Sequence, residues 1–240
     1  MSEDHEKILQ IIRLKDAVPF KLELDRTALI VIDVQRYFVS PCYALMRTFE
    51  ALVPGVSVAY CERLEERVLP NIRLLLDCCR AKQVPVIYTA IGTLTRDGKD
   101  LNGMWKALDR LSLDTIGERM FPGVGDPSWQ IDERVAPFKG ELVINKTSSG
   151  TLNSTMLDQT LRNMGITSLL VCGVTTDVCV ETTARDAADR GFEVTIAGDA
   201  CTAFSSDLHE AALQAFSYAF GRVRTTEEIS EHVKGARDRI

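Results

Sequence analysis

Short unbroken runs of apolar residues alternate along this chain with stretches whose apolar positions recur at helical spacing. The runs lie at 27–34, 84–89, 141–145, 169–172 and 193–197, and Val223 begins one more short extended stretch. Each is brief, rich in β-branched residues and closed by a polar residue or glycine, which is the pattern of a strand covered on both faces. Between them, Leu64, Val68, Ile72, Leu75 and Leu76 draw one apolar stripe along a helix predicted over 59–82, with Pro70 as an interruption that marks a kink or a second helix start. A second helix is predicted over 155–164, capped by Ser154 or Asn153 and stopped at Gly165. A third runs from Cys179 through Val180, Thr183, Ala184, Ala187 and Ala188 to a stop near Gly191, a fourth covers 208–220, and Thr225 opens a charged terminal helix. Residues 42–58 read as irregular, and 1–20 as a short charged helix plus linker. Strands that alternate with helices in this way predict a mostly parallel, doubly wound α/β sheet with helices on both faces.

A length of 240 residues and 45% hydrophobic content suit one domain over 1–240. An N-terminal arm at 1–20 would pack on the body or on a neighbour. The segment 93–127 is rich in glycine and charge, with a short helix at MWKALDRLSL. A segment of that length suits a lid or pocket wall, with Trp105, Lys106, Arg110 and Arg119 as candidate substrate contacts. A net charge of -6 and a pI near 5.2 argue against nucleic-acid or anionic-membrane partners. No apolar run is long enough to span a bilayer. The opening MSEDHEKILQ lacks the apolar centre of a signal peptide, so a cytoplasmic location is expected, with the seven cysteines reduced. Their spacings contain no CxxC or CxxH, so no structural zinc site is expected.

Three strand ends carry chemistry. Asp33 follows the first strand, Lys146 the third, and Cys179 stands where the fourth turns into a helix. In an open α/β sheet these positions share the carboxyl edge, where ligands bind. A helix N-terminus favours a thiolate and offers N–H groups to an oxyanion. Taken singly, each residue has a plainer reading: an edge or capping carboxylate, a solvated lysine, an inert buried thiol. Gln35, Tyr37 and Phe38 follow Asp33 and would reach the same crevice.

The segments ALIVIDVQRYF, VINKTSSGTLNST and LLVCGVTTDVCVETTARDAADRGFEVTIAGDAC occur in that order between about residues 27 and 210. In them the chain resembles the isochorismatase-like cysteine hydrolases, with TTDVCV and the following TT most similar to the biuret, triuret and ureidoacrylate amidohydrolase branch. The resemblance implies a three-layer α/β/α fold and a catalytic triad of Asp33, Lys146 and Cys179. It also implies a cis peptide at Val174–Thr175, an oxyanion hole from the N–H groups of Thr175 and Cys179, and Gln35 and Phe38 lining the pocket. With Trp105 and Arg119 from the lid, these are the expected substrate contacts. The implied reaction is cysteine-dependent hydrolysis of a linear amide C–N bond in a small carbamoyl or ureide substrate, with water as co-substrate and release of ammonia through a thioester. The chain lacks the Asp-x-His…His pattern of nicotinamidases, so no metal and no cofactor are expected. Ala219 stands where biuret hydrolases carry a late-helix glutamine, which leaves triuret or another ureide open. The family also implies a homo-oligomer, a dimer or tetramer. Competing readings are an N-carbamoylsarcosine- or nicotinamidase-like amidase, a non-catalytic α/β binding module, and a redox sensor in which Cys172 or Cys201 would resolve Cys179.

Overall fold

The structure is a computed structural model that describes residues 3–18 and 22–236. Its centre is one six-stranded sheet. The strands are β1 Thr27–Ile32, β2 Val86–Ile91, β3 Leu142–Lys146, β4 Ser168–Val174, β5 Glu193–Thr202 and β6 Arg222–Arg224. They lie in the order β3-β2-β1-β4-β5-β6, and every neighbouring pair is parallel. Every residue of β1 and β2 is buried, as their unbroken apolar runs require. The edge strand β3 differs: Leu142 and Val143 are exposed, while Lys146 at its far end is buried.

The chain leaves β1 toward β2 and β3, then returns to lay β4, β5 and β6 on the other side. Right-handed crossovers running in these two opposite directions put their helices on opposite faces. The switch falls between β1 and β4, whose carboxyl ends therefore flank the crevice that such sheets use for ligands.

The helices are α1 Glu3–Asp16, α2 Arg36–Val39, α3 Ala44–Leu52, α4 Val56–Arg63, α5 Leu69–Ala81, α6 Gly103–Ile116, α7 Leu157–Asn163, α8 Glu181–Asp189, α9 Ser206–Ala219 and α10 Thr226–Gly235. Helix α5 lies against β1, β2 and β5, with α10 beside it. Helix α10 begins with a capping box, in which Thr225 accepts from the Glu228 N–H and Glu228 accepts from the Thr225 N–H.

Three sequence expectations change. The stretch read as irregular contains α3, whose Leu45 and Met46 are buried and whose Phe49 packs on the core. The 59–82 helix begins earlier, at Val56, and Pro70 stands where a second helix starts, as expected. A π-helical turn, Leu64–Val68, joins α4 to α5, and Pro70 falls in the first turn of α5, where a missing N–H costs little. Helix α7 starts at Leu157, later than expected, and its first N–H donates to Thr155 Oγ1 rather than to Ser154 or Asn153. The arm packs on its own body: α1 meets α9, where Lys15 donates to the carbonyls of Ser217 and Gly221 and Asp16 pairs with Arg224 at 3.1 Å. Part of the linker after it lies outside the described residues. Among the described residues no helix is long and apolar enough to cross a membrane.

Candidate active site

The site is assembled from the carboxyl ends of β1, β3 and β4. Asp33 leaves β1 with φ of 53°, a left-handed conformation stabilised by its N–H, which donates to the Thr89 carbonyl at 3.2 Å. Lys146 ends β3, two strands away, and only a long side chain reaches across β2. Its Nζ lies 2.8 Å from Asp33 Oδ2. Strand β4 approaches β1 at Gly173, where a Cβ would stand 2.1 Å from the Ile32 carbonyl oxygen, so glycine is required. The peptide Val174–Thr175 that follows is cis. The chain then enters a π-helical turn, Thr176–Val180, which carries Cys179 and runs into α8.

Asp33, Lys146 and Cys179 are 0%, 1% and 2% exposed. Their hydrogen bonds divide the work. Lys146 Nζ donates to the carbonyls of Ser148 and Ser149, both at 3.0 Å, and its remaining charge faces Asp33. Thr89 Oγ1 donates to Asp33 Oδ1 at 2.6 Å. Asp33 Oδ2 has the lysine at ion-pair distance and, among the described residues, no hydrogen bond of good geometry. Cys179 lies within hydrogen-bonding reach of both charged groups. Burial pushes its thiol well above the usual range, and Asp33 adds to this while Lys146 opposes it. Burial pulls Lys146 down, but Asp33 and Cys179 outweigh it and hold the ammonium charged. The resting site is thus a neutral thiol beside an ammonium–carboxylate pair.

Of the expected substrate contacts, Trp105 is buried, stacks on Phe121 at 5.1 Å and sits with its ring centroid 5.5 Å from Lys146 Nζ. Phe38 is buried against Tyr37, 4.4 Å between centroids. Gln35 is fully buried; its Nε2 donates to the carbonyls of Ile91 and Trp129 and its Oε1 accepts from the Ile91 N–H, so that it clasps β1 to β2. Arg119 lines a cavity of about 580 Å³ beside the site, its guanidinium held by Asp109 and the Arg96 carbonyl. Lys106 is exposed and Arg110 pairs with Asp114 along α6. Tyr37, placed at the crevice by sequence but given no substrate role, stands out. It lines the same cavity, burial and the neighbouring Asp33 hold its hydroxyl protonated, and that buried hydroxyl finds no partner among the described residues. The signal lay in its position: a large residue with a polar tip, in the first turn after the Asp33 strand end. Among the described residues no group of three His, Cys, Asp or Glu is placed to hold a metal ion, and His209 Nδ1 bonds Thr176 Oγ1 at 2.7 Å.

The isochorismatase domain profile matches residues 27–228. A nicotinamidase of Arabidopsis thaliana is 25% identical over 213 residues, 87% of this chain and 89% of its own length. A ureidoacrylate amidohydrolase of Methylobacterium radiotolerans is 29% identical over 213 residues, 85% of this chain and 78% of its own. Among solved structures, a cysteine hydrolase from Pseudomonas syringae pv. phaseolicola superposes with a TM-score of 0.72 at 28% identity, covering 92% of this chain and 98% of that one. The profile spans the sheet and all three reactive strand ends, and the chain belongs to the isochorismatase family of hydrolases.

Proposed function

We propose that the protein is a cysteine-dependent amidohydrolase acting on a small ureide or carbamoyl substrate. One observation carries the reading: a thiol, a carboxylate and an ammonium shut away from water and within reach of one another. A thiol held protonated needs a base at the moment of attack, and Oδ2 of Asp33 is that base. Cys179 Sγ attacks the amide carbonyl carbon as its proton passes to Asp33. The N–H groups of Thr175 and Cys179 receive the oxyanion. The C–N bond breaks, Asp33 returns the proton to the nitrogen, and ammonia leaves a thioester. Water then attacks, giving its proton to Asp33; the C–S bond breaks and the thiol is restored. Lys146 stays charged throughout and offsets the negative charge that moves between sulfur and carboxylate.

Two features favour a polar ureide. The ureidoacrylate amidohydrolase is one of the relatives matched over most of both chains. The unpartnered Tyr37 hydroxyl supplies a hydrogen bond that a second carbonyl or an N–H of such a substrate would complete. The cavity lined by Tyr37 and Phe121 is the approach, with Trp105 and Phe121 as the wall between it and Lys146.

Ammonia release from biuret, triuret, ureidoacrylate, N-carbamoyl amino acids and nicotinamide, with Cys179→Ser alongside, tests this. Release from a ureide that vanishes in the variant is expected. Release that survives in the variant removes Cys179 as nucleophile. Turnover of nicotinamide alone keeps the amide chemistry and replaces the ureide.

A further inference from the structure

We propose that Thr89 is a positioning residue for the proton transfer at Cys179: its hydroxyl takes up Asp33 Oδ1, so that Oδ2 is the oxygen presented to the thiol and the ammonium. The inference rests on the reading of Asp33 as the base.

The parallel register sets Thr89 opposite Ile32, one residue before Asp33. Thr89 grips Asp33 twice, through its carbonyl on the Asp33 N–H at 3.2 Å and through its hydroxyl on Oδ1 at 2.6 Å. Both residues are fully buried, so no bulk water competes for the carboxylate. The charged or titratable groups acting on Asp33 are Lys146 from β3, Cys179 from the π-helical turn and Tyr37 from α2. The Lys146 ammonium lies on the Oδ2 side, and Thr89 Oγ1 is the donor on Oδ1. Without the hydroxyl, the carboxylate could turn about its terminal torsion, which is broad and two-fold for aspartate, and divide its two oxygens differently between lysine and thiol. Thr89 therefore acts on the direction of the base, without touching substrate.

The test is the rate of Cys179 alkylation by iodoacetamide at one fixed pH, read by mass spectrometry of the Cys179 peptide, in wild type, Thr89→Val and Thr89→Ser. This readout needs no substrate. With the carboxylate free to turn, the Thr89→Val rate falls by about tenfold. Thr89→Ser, which keeps the hydroxyl, returns the rate toward wild type. If Val is not tolerated in this buried strand, Thr89→Ala removes the same hydroxyl. Where an amide is turned over, kcat falls by about tenfold or more while KM changes little. A folded Val or Ala variant that is alkylated at the wild-type rate overturns the proposal, as does a Ser variant that behaves like Val. If wild type turns over no amide, the amidase reading fails while the alkylation rates still decide the role of Thr89.

Discussion

At Gly173 the backbone of β4 comes so near β1 that an added Cβ would stand 2.1 Å from the Ile32 carbonyl oxygen, at a φ of 121°. Gly173→Ala is expected to lose soluble folded protein altogether, or to lower stability by about 3 kcal/mol or more, measured by urea unfolding followed by circular dichroism. A variant with wild-type stability would mean that the two strands can part here. In the sequence this glycine reads only as the end of an apolar run, because close approach between strands 140 residues apart leaves no local mark. The three reactive residues were legible from their places at strand ends. The depth of Lys146 was not, since a lysine after an apolar run also suits solvent. Its burial follows from the span across β2, which only the strand order reveals. Gln35 is the opposite case. Its nearness to Asp33 suggested substrate, while the backbone groups that consume its amide come from Ile91 and Trp129, far along the chain.

Among the elements, the segment 93–127 showed little of its internal order in the sequence. Helix α6 is capped by Asn102 through the Trp105 N–H and ends at Gly117 in a left-handed conformation. Asp109, one turn after Trp105, accepts from the N–H groups of Met120 and Phe121 and from Arg119 Nε. It thereby fixes Phe121 for the stack on Trp105 above Lys146. Nothing local predicts this, because a buried aspartate in a helix looks like any surface carboxylate until its partners are known. Asp109→Ala leaves two buried N–H groups without their acceptor and takes the carboxylate partner from the Arg119 guanidinium. A loss of about 2–4 kcal/mol is expected, with KM for the amide substrate raised more than kcat is lowered. Thermal unfolding and steady-state kinetics check both, and an unchanged KM would separate the segment from substrate binding.

On the scale of the whole molecule, the core holds several thiols and phenols that burial keeps protonated. Burial pushes Cys79 and Cys201 up to about 12, and Cys172 and Cys179 well up, from an ordinary value of 9.0. Tyr37 and Tyr60 are likewise raised by burial. A thiol whose folded value lies above its unfolded value stabilises the fold fully below the unfolded value and loses that contribution as pH rises toward the folded one. Each such thiol should weaken the fold by about 1 kcal/mol per pH unit above about 9. With four acting together against a total of about 5–15 kcal/mol, the melting temperature should hold steady through neutral pH and drop steeply between about pH 9 and 11. A melting temperature flat across that range would show that water reaches these thiols. Alternating strands and helices made the doubly wound class legible from sequence. The order β3-β2-β1-β4-β5-β6 was not, because pairing of parallel strands is decided by packing across distant segments. That order carries one last consequence, for how activity arises in time. Asp33, Lys146 and Cys179 enter the ribosome's exit far apart, and meet only when β1 has paired with β2, β2 with β3 and β1 with β4. No fragment short of Cys179 holds the site, and long-range parallel pairing is slow to form. The newly made chain is therefore chemically silent until its fold is nearly whole.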